Sequence, residues 1–161
     1  MKTREPQGSL MGWLLALLQG GGSGEAVRPR LPYRKKDYFL LQAERSFFGV
    51  LKKSVAGELI VLSKVRLAGV VYVEKGTGAW QLFFNRIQSK HVDFVLCTLD
   101  TIQPVLVIEL DDSSHDRKDR HDRDAFVNEA LAAAGLPILH VPARQKYNPV
   151  ELKARIAERL G

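Results

Sequence analysis

Glu109, Asp111 and Asp112 fall at the end of an apolar run that begins at Val105, and His115 follows three residues later. Side chains alternate across a strand, so Val105, Val107, Glu109 and Asp111 share one face, which turns from apolar to acidic. A second β-prone run, HVDFVLC, places His91, Asp93, Val95 and Cys97 on one face in the same way. Joining the two runs as a hairpin that pivots at Thr101 sets Asp93 opposite Glu109 and His91 opposite Asp111. Directly opposed side chains have Cβ atoms about 4.5–5.5 Å apart, so this register predicts one polar cluster of four residues. Carboxylates that close repel one another, which raises a pKa or demands a cation. Oxygen donors of this kind suit a hard ion, Mg2+ or Mn2+, with Asp93, Glu109 and Asp111 as its ligands.

Other residues fit the same chemistry. Glu44 lies on the apolar stripe of a predicted helix, four residues after Leu40 and three before Phe47. A carboxylate facing a core is costly unless compensated, by an arginine or by the same cation. If Glu44 instead sits at the stripe's edge, it reaches water. His115 titrates near neutrality and suits general acid or base work. In the charged helix that follows, Arg120 is placed to bind a scissile phosphate, and Asp124 to hold Arg120 or His115. Arg117 and Asn128 fall on the same helical face as Asp124. His140, inside an apolar run, reads as a core or lining residue, and His121 as solvated.

The elements that must position these groups follow from periodicity. Leu40, Phe47, Phe48, Leu51 and Val55 recur at helical spacing, with Asp37 as N-cap and Gly57 just past the end. Residues 58–62 and 65–73 are β-prone, residues 76–78 form a turn, and 80–87 is ambiguous between strand and helix. His91–Cys97 and Pro104–Leu110 are the clearest strands. A long helix runs to Ala134, where Gly135 can take the left-handed cap and Pro137 prevents continuation. Leu136–Val141 is a short strand, and Pro149–Leu160 a final helix. The order is α, β, β, β, α, β, α.

The 161 residues are 45% apolar, enough for a single core. A charge of +6 favours a polyanionic partner. With Cys97 as the only cysteine, an intrachain disulfide and a cysteine-based zinc site are excluded, and a reducing, cytoplasmic setting is the simpler expectation. Residues 1–32 read as a flexible extension, with an apolar run (Leu10–Leu18) and a Gly-rich linker, before a domain over 33–161. Nine apolar residues are too short to span a bilayer. Behind Lys2 and Arg4 they also admit membrane contact or export.

The runs KHVDFVL, PVLVIELDDSSH and AGLPILHV, with R-x-x-x-D between the last two, resemble the bacterial family called domain of unknown function 2726. That family is placed in the restriction-endonuclease-like superfamily, and the chain is also similar to very-short-patch repair endonucleases. The resemblance covers about residues 33–160 and implies an αβββαβ core, a mixed central sheet flanked by helices, with the D…(D/E)-x-K signature. It makes Glu44 the helix acid, Asp93 the strand acid and Glu109 the second metal ligand. The signature lysine position holds Asp111, so either His115 with Arg120, or a second metal ion, compensates, or catalysis is lost. The implied activity is Mg2+-dependent or Mn2+-dependent hydrolysis of phosphodiester bonds in DNA, leaving 5′-phosphate and 3′-hydroxyl ends. Arg34, Lys35, Lys36, Arg117, Lys118, Arg120 and Arg123 would contact the nucleic-acid backbone. The alternatives are a catalytically silent nucleic-acid-binding module and a membrane-proximal interaction domain.

Overall fold

The computed structural model describes residues 31–111 and 118–161, and of 118–124 the backbone alone. The described residues of 38–161 form one compact unit, while 31–37 are exposed and carry no helix or strand.

Helix α1 (Gln42–Ser54) buries Phe47 and Leu51 at helical spacing. It starts later than an Asp37 cap would allow, with Leu41 as N-cap. The leucine side chain cannot cap the first-turn N–H groups, but the Glu44 carboxylate accepts the Leu41 N–H at 2.9 Å, the other half of a capping box. Beyond the last turn Gly57 takes φ +76°, as expected of a helix-ending glycine.

The two β-prone runs prove to be one strand, β1 (Ile60–Arg66), followed by a 3-10 turn over Leu67–Gly69. Leu67 and Val71 are both buried, and that spacing of four suits a helical turn, so the strand stops short of Val73. The ambiguous segment is helix α2 (Trp80–Gln88), with Trp80 stacked on Phe84 at 4.8 Å. Strands β2 (His91–Cys97) and β3 (Pro104–Asp111) form the expected hairpin. Phe94 pairs with Ile108, Val95 with Val107 and Leu96 with Leu106, the register of a Thr101 pivot, before a bulge sets Cys97 opposite Pro104. Helix α3 (Lys118–Ala133), β4 (Ile138–Pro142) and α4 (Pro149–Leu160) complete the unit.

The sheet is four-stranded and mixed, in the order β1-β2-β3-β4, with β1, β2 and β3 antiparallel and β4 parallel to β3. One face packs Phe94, Leu96, Leu106, Ile108 and Leu139 against α1 and α4. The other packs Val92, Val95 and Val107 against α3 and the 3-10 turn. The C-terminal ends of β1 and β3, the start of β2 and the C-terminal end of β4 therefore meet at one end of the sheet.

Candidate functional site

Lys64 has φ +54°, a left-handed conformation in mid-strand that is unfavourable for any residue with a Cβ. The β1–β2 ladder pairs Ser63 with Phe94 and then Val65 with Val92, stepping over Lys64 and Asp93. Regular alternation would put Val65 with Val61 and Val92 with Phe94. Instead Val65 and Val92 both join the α3-side core, while Val61 and Phe94 belong to the α1 side. Both strands thus transpose faces at the same register position. Asp93 consequently does not share a face with Val95 and Cys97, as simple alternation predicted.

The transposition delivers the Lys64 ammonium to two carboxylates. Nζ lies 2.5 Å from Glu44 Oε1 and 2.9 Å from Asp93 Oδ1. Glu44 is buried, which excludes the alternative of a carboxylate at the stripe's edge reaching water. Its compensation comes from lysine, where sequence reasoning offered an arginine or a metal ion. Asp93 Oδ2 accepts the backbone N–H of Leu110 at 3.0 Å, so this carboxylate wedges into the fork between β2 and β3 beside the Glu109–Leu110 peptide. Burial by itself works against the charge on Lys64, but hydrogen bonds and Coulombic attraction from Glu44 and Asp93 outweigh it. They raise its pKa above the ordinary 10.5. Lys64 is therefore an ammonium ion throughout the neutral range.

The other half of the predicted cluster is rearranged. His91 is exposed, and the β2–β3 pairing begins only at Phe94 and Ile108, so His91 is not paired with Asp111. Asp111 is drawn away by β4, which lies parallel beside β3 and sets Glu109 level with His140 and Asp111 level with Pro142. Asp111 Oδ1 is 2.9 Å from His140 Nδ1, and His140 Nε2 is 3.1 Å from Asn128 Oδ1 on α3. His140, read as a mere lining residue, is the link between the acidic strand end and α3. Asp93, Glu109 and Asp111 thus do not converge as three ligands, and among the described residues no group of three or more His, Cys, Asp or Glu side chains could hold a metal ion. Asp93 and half-buried Glu109 lie on the neighbouring strands β2 and β3 at this end of the sheet. Mg2+ is commonly held by one or two carboxylates, with water and substrate phosphate filling the remaining positions.

His115 and Arg117 lie outside the described residues, as do residues 10–18 and the side chains of Lys118, Arg120, His121, Arg123 and Asp124. Arg34, Lys35 and Lys36 are exposed. Among the described residues no helix is long and apolar enough to cross a membrane.

Lys64 is the principal residue that sequence reasoning missed. Its one signal was a charged residue between two β-prone runs, where a strand was taken to break. A family model described as "Protein of unknown function (DUF2726)" matches residues 36–160. No curated protein and no solved structure matches the chain.

Proposed function

From the premise that the chain belongs to the DUF2726 family, we propose that it is a metal-dependent nuclease that hydrolyses phosphodiester bonds in DNA on a restriction-endonuclease-like core. The observation that carries this reading is the Lys64 ammonium seated between Glu44 and Asp93 at the β2–β3 fork. It restores, from a different strand, the lysine that the E-x-D end of β3 lacks.

In this reading Asp93 and Glu109 hold Mg2+ or Mn2+, which would acidify a bound water and polarise a phosphate oxygen. Lys64 stays protonated, so it cannot take the proton from the attacking water. Its work is electrostatic: it offsets charge that builds on the phosphate oxygens as water bonds to phosphorus and the sugar oxygen leaves. Glu44 positions Lys64, and Asp93 ties the ammonium to the fork. His115 remains the proposed base. Asp111, turned onto His140, acts through that ring and α3 and is not a ligand.

One observation favours the catalytically silent nucleic-acid-binding module instead. Asp93 already has an ammonium and an amide as partners, and Asp111 has an imidazole. A cleavage assay with Mg2+ and Mn2+ on linear, nicked, mismatched and branched DNA separates the two readings. Cleavage should fall at least about 100-fold in Asp93→Ala and in Glu109→Ala. Activity undiminished in Glu109→Ala refutes the site. Absence of both cleavage and metal binding, with DNA still bound, selects the silent module.

A further inference from the structure

Just beyond the acidic strand end the chain builds a second, oppositely charged feature. Ala143 donates its N–H to the Asp111 carbonyl at 2.8 Å, so Arg144 is the first residue past the ladder. From there a cleft of about 310 Å³ opens between the β4–α4 loop and α4, lined by Arg144, Lys146, Tyr147, Glu151 and Arg155. Three cations face one carboxylate. Among the described residues, moreover, no carboxylate lies within ion-pair distance of Arg144, Lys146 or Arg155. Three like charges facing a single carboxylate repel one another on balance, and an anion relieves them.

The cleft is also held in shape. The Arg155 guanidinium donates to the His140 carbonyl at 2.9 Å, which fixes it at the floor while leaving further N–H groups to point elsewhere. The Arg144 N–H is accepted by the Tyr147 hydroxyl at 2.8 Å, and the Tyr147 ring packs edge-on against Phe47 of α1 at 4.9 Å. The Arg155 guanidinium is thus held before a ligand arrives, and a donor so fixed loses little entropy on binding. Arg144 borders a further groove shared with Gln42 and Ser46, on the turn of α1 that carries Glu44. Arg144 thus borders both the basic cleft and the groove beside the first turn of α1.

We infer that this cleft is a phosphate subsite, and that it holds a backbone phosphodiester of the strand whose neighbouring linkage lies at Lys64, Asp93 and Glu109. This rests on the nuclease reading for the identity of the ligand. Guanidinium and ammonium groups match phosphate oxygens, and such contacts position a strand without reading its sequence.

The test measures binding of a labelled single strand of about 20 nucleotides in EDTA, where no hydrolysis occurs. Arg144→Gln with Lys146→Gln removes two exposed cations. The affinity should fall about tenfold near 0.1 M salt, and the slope of log K against log[salt] should lose about 0.7 for the phosphate contact removed. Lys53→Gln, one such charge change at the far end of α1, should leave both quantities close to wild type. A loss in the double variant no greater than twice that in Lys53→Gln, in log K and in slope, overturns the subsite, because only overall charge would then matter. Orthophosphate that shifts the Tyr147 amide resonance while strand affinity is indifferent to the double variant also overturns it, in favour of a free-phosphate site. Weakened binding without any metal-dependent cleavage keeps the subsite and removes the nuclease reading, and the reverse result does the opposite.

Discussion

Replacing Lys64 tests at once the electrostatics and the backbone of the candidate site. Lys64→Ala leaves Glu44 with only the Leu41 N–H and Asp93 with only the Leu110 N–H. Breaking a fully buried ion pair costs about 3–5 kcal/mol, and an exposed pair is worth about 0.2–1 kcal/mol. The side chains of Glu44, Asp93 and Lys64 are 9%, 19% and 33% exposed, which places the trio between those limits. A loss of about 2–3 kcal/mol at pH 7 is expected, read as a lower urea midpoint with unchanged m-value. Lys64→Gly makes the diagnostic comparison. In a regular strand glycine is less stable than alanine, but at φ +54° it should be more stable, by about 1 kcal/mol. The pH dependence has a definite sign. A raised lysine pKa contributes stability that is present below 10.5 and lost as pH rises through the folded value, so wild type and Lys64→Ala should converge only above about pH 10.5. A Lys64→Gly variant less stable than Lys64→Ala, or a gap between wild type and Lys64→Ala that closes already at pH 9, refutes the reasoning.

Two further expectations concern neighbouring parts. If Asp111 acts through His140, then Asp111→Asn, His140→Ala and the double variant should reduce cleavage to the same extent, and additive losses would show independent roles. Gly135→Ala should destabilise the domain by about 1 kcal/mol in urea denaturation, because Gly135 closes α3 at φ +69° where a Cβ is unfavourable; no change would mean that the turn relaxes.

What could be read from the sequence was what local rules govern. The hairpin register, the glycine that closes α3 and the proline-led start of α4 each depend on residues a few positions apart, and each is found where periodicity and turn chemistry put it. The site failed where distant partners decide. Nothing in SKVRL announces a left-handed residue, since no glycine marks the spot, and the bonds that hold Lys64 there come from residues 20 and 29 positions away. Asp111 was assigned to His91 because only the hairpin was considered. The parallel strand β4 captures it, and its place beside β3 is a tertiary choice. The basic cleft was equally hidden, because Arg144, Lys146 and Arg155 are spread over a loop and a helix and never form a charged run.

The strained lysine also bears on why the trio exists. Apolar side chains of similar volume, replacing all members of a buried ion pair, are commonly neutral or stabilising, whereas removing one member is damaging. A chain that needed only a stable joint between α1 and the sheet could therefore have filled this space with leucine and kept both strands regular. Instead two strands transpose their faces together so that one ammonium can reach two acids, at a backbone conformation costing about 1–2 kcal/mol. Strain maintained in that way is concentrated at sites where geometry matters more than stability. The fork between β2 and β3, with its lysine held in place by the fold itself, is on those grounds where the proposed chemistry belongs.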